Sequence, residues 1–198
     1  MTIDLLPGHG VRLPAPLPEL RFGLTEAAVR GLLAPHGELL PDGVQNTFVC
    51  GCRWALALQL PGVSVTLCAD DHDRFRSVTV VRNPSDDRPA CPVGYHGIDL
   101  LGWPAHELVE ALRAQGLPVP DPTHSTLRYD SLYLYRRPAA SAPSRSPRPS
   151  RSSRSSRPAR KPRHEGPFTF DVVSHSAPAQ DSEVAQHAEG AEGAEAAQ

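Results

Sequence analysis

Residues 23–37 read GLTEAAVRGLLAPHG, and residues 102–116 read GWPAHELVEALRAQG. Each segment begins and ends with Gly, and the two glycines lie fourteen positions apart in both segments. Apolar side chains fall at helical spacing between the glycines, and the residues that follow read as strands. The chain therefore repeats one unit. We predict an α+β fold in which two helix-plus-antiparallel-sheet halves form one domain.

The first segment carries signals for both ends of a helix. Thr25 is a good N-cap, and the carboxylate of Glu26 is favourable beside the positive end of the helix dipole. Pro35 and Gly37 are expected to end the helix. One face is apolar and should be buried, and it consists of Ala28, Val29, Leu32 and Leu33.

The second segment predicts a similar helix. Pro104 lies near its first turn, where proline is tolerated because the first amides have no partner inside the helix. Gly116 is expected to end it. Its apolar face consists of Leu108, Val109, Ala111 and Leu112.

The clearest strand signal lies between the two helices. Apolar residues alternate from Phe48 to Leu60, which predicts one long strand, and Pro61-Gly62 then forms a turn. The alternation resumes after the turn and defines a hairpin register with its apolar residues on one face. The predicted pairs are Leu60 with Val63, Leu58 with Val65, Leu56 with Leu67 and Trp54 with Ala69.

Three further strands are predicted, from Phe75 to Arg82, from Leu127 to Arg137 and from Phe168 to Val173. Residues 70–73 form the turn before the first of them. The 127–137 strand has tyrosines on one side and leucines on the other, so we expect it to be covered on both faces. Residues 1–20 contain four prolines and are expected to be extended and not helical.

The domain boundaries follow from composition and charge. The apolar fraction is 39%, and the shortage is concentrated in two stretches. Residues 141–165 carry a net charge of +7, and residues 166–198 carry −6. We predict one domain from 1–138 plus 166–174, with halves of about 20–82 and 95–174. Residues 139–165 are predicted to be a disordered Arg/Ser/Pro insert, and residues 175–198 a disordered acidic tail.

The compartment follows from what the sequence lacks. No stretch approaches the ~18 apolar residues of a membrane span, and the start does not read as a signal peptide. We therefore expect a cytoplasmic protein without a membrane contact, in which the four cysteines are reduced thiols. Nineteen of the twenty basic residues are Arg, which indicates a GC-rich, actinobacterial genome.

The candidate reactive groups predict no catalytic residue, cofactor or metal. Cys50, Cys52, Cys68 and Cys91 lack the spacing of a zinc site, and the predicted register places Cys68 on the opposite sheet face from Cys50 and Cys52. The acidic turn at 70–73 lacks the glycine and distal glutamate of a calcium loop. Gly8-His9-Gly10 and the 94–97 loop do not follow a phosphate-binding pattern.

Two features could bind a partner. Tyr95, Trp103, Tyr133 and Tyr135 form either an aromatic recognition surface or ordinary core and sheet cover. The insert is either a linker with no function of its own or a flexible tether that binds phosphates. Phosphorylation of its serines would cancel its positive charge. Its candidate nucleic-acid contacts are Arg145, Arg148, Arg151, Arg154, Arg157, Arg160, Lys161 and Arg163.

The first segment is also similar to known domains. Its pattern of Phe22-Gly23-Leu24-Thr25, then Val29 and Leu32-Leu33, resembles the helix of the small BamE/SmpA-like domains. The tandem helix-plus-strand layout is similar to that of the β-lactamase-inhibitor protein of streptomycetes. These resemblances imply a protein-binding scaffold. We therefore expect a non-enzymatic interaction module that uses a sheet face or the groove between halves, with a nucleic-acid-associated protein and an unrecognised small enzyme as alternatives.

Overall fold

The computed structural model describes residues 1–40, 42–83, 91–136 and 169–178. Within these ranges the chain is mixed α and β, and mostly sheet. The elements before residue 84 are β1 Ile3–Leu6, β2 Gly10–Arg12, β3 Glu19–Arg21, α1 Glu26–Leu33, a 3₁₀ segment Ala34–Leu39, β4 Gln45–Asn46, β5 Ala55–Leu60, β6 Val63–Ala69 and β7 Phe75–Arg82. The later elements are β8 Val93–Tyr95, β9 Ile98–Asp99, α2 Ala105–Ala114, β10 Thr126–Tyr129, β11 Leu132–Tyr135 and β12 Val172–Ser176.

The strands form a large sheet and a small one. The large sheet has the order β10-β11-β12-β7-β6-β5-β4, and all of its neighbouring strands are antiparallel. The small sheet has the order β3-β2-β1-β8-β9, in which β1 and β8 run parallel. Residues 1–20 are extended as expected, but their pairing into a second sheet was not predicted.

Both predicted helices are present, with one error in the buried face. The hydroxyl of Thr25 accepts a hydrogen bond from the N–H of Ala28 at 3.3 Å, which confirms the N-cap. Val29 and Leu33 are fully buried, but Leu32 is 41% exposed and does not belong to the core. In α2 the buried residues are Ala105, Leu108, Val109 and Leu112, while Ala111 is half-buried.

The predicted hairpin register is confirmed, but its first strand is shorter than expected. Leu60 pairs with Val63, Leu58 with Val65 and Leu56 with Leu67. The prediction of a strand from Phe48 is wrong, because β5 begins at Ala55. Gly51 has a positive φ of 83°, and the N–H of Cys52 donates to the carbonyl of Val49. This turn interrupts the alternating stretch and leaves the side chain of Phe48 88% exposed.

The predicted single strand at 127–137 is also wrong, since the structure has a hairpin there. Asp130 adopts a positive φ of 50° in the turn between β10 and β11. The turn pairs Tyr129 with Leu132, so Tyr129 packs on the core face and not beside the other tyrosines. Tyr133 is 41% exposed, so β11 is not covered on both faces as expected.

The prediction for β7 is confirmed, whereas the prediction for β12 needs a correction. The strand predicted from Phe75 to Arg82 is confirmed as β7. The strand predicted from Phe168 to Val173 is displaced, because β12 begins at Val172 and ends at Ser176. Phe168 lies outside the described residues. Residues 175 and 176, predicted as part of the tail, therefore belong to the sheet. His175 is fully buried there. The 139–165 insert and residues 179–198 lie outside the described residues.

The core lies on one face of the large sheet, which the helices and the small sheet cover. Its largest fully buried side chains include Phe75, Phe170, Leu58, Leu67 and Leu108. The small sheet reaches the centre of the large one, where His175 contacts the carbonyl of Leu6. No helix within the described residues is both long and apolar enough to cross a membrane.

Candidate binding surface

The face of the large sheet that points away from the core carries short polar side chains. Successive residues of a strand point to opposite faces, so the pairing register assigns the members of this outer face. Most of them are half-buried or exposed, but Ala55, Cys68 and Val172 are buried. Its central members, from β5, β6, β7 and β12, are Ala57, Gln59, Ser64, Thr66, Ser77, Thr79, Val81, Val172, Ser174 and Ser176.

Hydroxyl groups form a row across the middle of this outer face. Thr66 pairs with Thr79, and Thr79 pairs with Ser174. The hydroxyls of Thr79 and Ser174 are hydrogen-bonded at 2.9 Å. The Nε2 of Gln59 donates to the hydroxyl of Ser64 at 3.1 Å. None of the central members is charged, so the middle of the outer face is neutral and can both donate and accept hydrogen bonds.

Larger side chains stand at one end of the outer face. There the rings of Tyr133 and Tyr135 lie 5.6 Å apart, and Arg128 pairs with Tyr133 from the neighbouring strand. The exposed ring of Phe48 lies in the loop between β4 and β5, beside the opposite edge of the sheet. Four strand spacings separate β11 from β5, which corresponds to about 19 Å.

The predicted aromatic surface is therefore only partly assembled. Tyr133 and Tyr135 come together, but Tyr95 is buried beside His175, and its ring centroid lies 6.0 Å from that of His175. Trp103 is 44% exposed just before α2. The eight predicted nucleic-acid contacts, from Arg145 to Arg163, lie outside the described residues.

A cleft of about 340 Å³ lies at the turn before β7, and its lining includes Asp70, His72, Arg74 and Arg76. Ionisable groups that converge in a cleft are what an enzyme would need. However, one carboxylate oxygen of Asp70 accepts the backbone N–H groups of His72 and Arg74, at 2.9 Å and 3.0 Å. Partial burial acts to raise the pKa of Asp70, but these hydrogen bonds outweigh it and lower the pKa. Asp70 is thus a carboxylate that shapes the turn.

His175 is the one fully buried polar side chain among the described residues. Its Nε2 lies 3.1 Å from the carbonyl oxygen of Leu6, and its Nδ1 lies 3.3 Å from the hydroxyl of Ser131. A carbonyl only accepts, so Nε2 carries the proton and Nδ1 accepts from Ser131. Burial lowers the pKa of His175 and keeps the ring neutral. No local pattern in the sequence distinguished this histidine from the predicted tail.

The Ser131–His175 hydrogen bond joins the residue types of a nucleophile and its base, but the setting does not suit catalysis. The ring is fully buried, and its N–H is held by the main-chain carbonyl of Leu6, where a hydrolase would place a carboxylate. We therefore interpret this bond as part of the packing between the two sheets.

The position of Cys52 relative to Cys68 contradicts one prediction. Cys52 and Cys68 were expected on opposite sheet faces, but both lie beside Ser77, and Cys52 raises the pKa of Cys68. The reason is that residues 48–53 do not form a strand, so alternation does not apply to Cys52. Cys50 is exposed, and Cys91 is buried with its thiol 3.4 Å from the carbonyl of Met1. The described residues contain no group of three metal-ligating side chains.

Comparisons of the chain with protein-family models, with curated proteins and with solved structures found no match.

Proposed function

We propose that the chain is a non-enzymatic protein-interaction module that docks a partner on the outer face of the large sheet. The observation that supports this most directly is the layout of that face. A neutral hydroxyl row lies in the middle and the Tyr133–Tyr135 pair at one end, and the exposed Phe48 lies in the loop beside the opposite edge of the sheet. Tyrosine is typical of binding hot spots because one ring offers both apolar area and a polar group.

The same layout defines the chemistry of the partner. The middle of the outer face has no charge, so we expect a partner surface that is neutral and hydrogen-bonding where it meets Thr79 and Ser174. It should also offer apolar pockets to Tyr133 and Phe48. Six strands about 4.8 Å apart and about five residues long give roughly 400 Å², half of the roughly 800 Å² per partner of a standard interface. We therefore propose a transient complex, or one in which the Phe48 loop adds contact area.

The proposal includes the predicted duplication of the fold, which local pairing supports. The N-cap of α1, Thr25, forms an isolated bridge with Arg74, directly before Phe75. The corresponding residue of α2, Pro104, forms an isolated bridge with Thr169, directly before Phe170. The two helices thus begin at matching positions relative to β7 and β12.

Alignment of the halves on these bridges makes Thr79 equivalent to Ser174. These two residues pair with each other in the β7–β12 ladder, and the pairs on either side follow the same symmetry. The outer face is then centred on an approximate two-fold axis between β7 and β12. The small sheet departs from this symmetry, because β1 and β8 run parallel.

Site-specific photo-cross-linking tests the docking surface. A photoreactive amino acid in place of Thr79 should capture a defined protein from a lysate of the source cells, and Tyr133→Ala should reduce the yield several-fold. The matched control is the same amino acid in place of Glu110, an exposed residue of α2. Equal capture from both positions, or capture that Tyr133→Ala leaves unchanged, would contradict the proposal.

A second candidate function is nucleic-acid binding through the 139–165 segment. The placement of Arg128 beside Tyr133 favours it, because stacking rings next to a cation suit single strands. The segment itself contributes eight basic residues to the sequence. Its eight charges imply a log–log salt slope of about −5 to −6 for a single strand. Deletion of residues 141–164 should abolish this salt-dependent binding, and undiminished binding would refute it.

A further inference from the structure

Two thiols meet at one end of the outer face. Cys68 pairs with Ser77 across the β6–β7 ladder, so its side chain points to the outer face. Cys52 reaches the same place from the loop before β5, where it lines an open cleft of about 370 Å³ together with Ser77. The side chain of Cys68 is thus close enough to those of Cys52 and Ser77 for both to influence it. The turn at Gly51 therefore brings together two cysteines from separate elements.

The two thiols differ in access to solvent. Cys68 is only 4% exposed, whereas Cys52 is half-buried in the wall of the cleft. A small reagent in solution thus reaches Cys52 before Cys68.

We propose that Cys52 and Cys68 are an oxidisable thiol pair that closes a disulfide bond by exchange with a small soluble disulfide such as oxidised glutathione. The thiolate of Cys52 attacks one glutathione sulfur, the S–S bond breaks, and one glutathione leaves as a thiolate. Cys68 then releases its proton to solvent and attacks the Sγ of Cys52, and the second glutathione leaves. Two cysteine thiols are oxidised, and one glutathione disulfide is reduced to two thiols.

The electrostatics of the pair agree with this order. Burial, together with the neighbouring Cys52, raises the pKa of Cys68 to about 12, against a small opposing effect of Ser77. Cys68 therefore keeps its proton, and Cys52 is the attacking sulfur. Cys52 no longer raises the pKa of Cys68 once glutathione is bound to its sulfur, but the burial of Cys68 continues to do so. The second step should thus be slow, and its rate should increase with pH.

The other two cysteines serve as internal references. Cys50 is exposed and lies two residues from Cys52, so a Cys50–Cys52 bond is the competing product. Cys91 is buried on another part of the fold and should remain reduced. This inference does not depend on protein docking at the outer face, so either proposal can fail alone.

The test is peptide mass mapping of the full chain after incubation with oxidised glutathione, acid quenching and alkylation. We expect a Cys52–Cys68 cross-link, with a closure rate that rises roughly tenfold per pH unit between pH 7 and pH 9 because only the thiolate attacks. Cys50→Ser should leave the cross-link yield unchanged. Cys68→Ser should accumulate glutathione on Cys52, with circular dichroism as the control for folding.

Several results would overturn the inference. In the first, glutathione stays attached to Cys52 of the unsubstituted chain. In the second, a Cys50–Cys52 disulfide is the main product. In the third, Cys52 does not react. The same linkage pattern from the chain unfolded in guanidinium would also overturn it, because the fold would then contribute no selectivity. The unsubstituted chain decides between these outcomes even where Cys68→Ser does not fold.

Discussion

Substitution of His175 by Gln should make the fold less sensitive to mild acid. The imidazole is fully buried between the two sheets, and it is hydrogen-bonded to the carbonyl of Leu6 and the hydroxyl of Ser131. Burial lowers its pKa in the folded state below the ordinary histidine value of 6.5. Below about pH 6.5 the unfolded chain takes up a proton that the folded chain does not. Folding stability is therefore lost as the pH falls through the unfolded pKa.

The size of this effect has an upper limit. If the folded ring stays neutral throughout, protonation of the unfolded state between pH 7 and pH 5 costs the fold at most about 2 kcal/mol. Glutamine retains a donor and an acceptor but has no charge to gain. The glutamine side chain should pack less completely than the imidazole and lower the stability at pH 7 by about 1–3 kcal/mol. This loss should be the same at every pH.

The measurement is guanidinium unfolding of both chains at several pH values from 5 to 7. We expect the stability of the unsubstituted chain to fall more steeply than that of His175→Gln. His9→Gln is the matched control, because His9 is exposed in the turn between β1 and β2 and should leave the pH slope unchanged. Equal slopes for the unsubstituted chain and His175→Gln would refute the reasoning, since His175 would then titrate alike in both states.

Three further substitutions test the helices and the sheet by equilibrium unfolding in guanidinium. Thr25→Ala removes the hydroxyl that caps α1 and should cost about 1 kcal/mol, and a cost near zero would mean that the cap is unimportant. Leu67→Ala opens a cavity on the core face of β6 and should cost about 2–5 kcal/mol, whereas Thr66→Ala on the outer face should stay within about 0.5 kcal/mol. Similar losses for the two would contradict the assignment of faces. Gly116→Ala places a Cβ at a positive φ of 81° and should cost about 1 kcal/mol, and no loss would mean that the helix end relaxes.

Local patterns were reliable where one physical signal acted alone. The β5–β6 register was predictable because a shift by one residue would move every apolar side chain to the outer face. The α1 cap was predictable because a hydroxyl at Thr25 satisfies an amide that the helix leaves free. β7 was predicted with both of its ends, since its alternation lies between a polar turn and a proline-containing loop.

Errors arose where a turn interrupted an alternating stretch. Phe48 and Cys50 fit the alternation of β5, but Gly51 turns the chain before the strand begins. At 127–137 the turn uses Asp130, which tolerates a positive φ because its short polar side chain bonds locally. Alternation cannot reveal such a turn when the residues on both sides remain apolar.

The order of residues thus determined the two capped helices, the hairpin register and the polarity of each strand, because these depend on neighbours within a few positions. Only the tertiary structure decided that residues 1–21 form a second sheet with β8, that His175 is enclosed between the sheets, and that Cys52 meets Cys68. Each of these contacts joins segments that are distant or irregular in the chain, where no periodicity connects one partner with the other. Their energy comes from burial and from hydrogen bonds that exist only once the layers have packed.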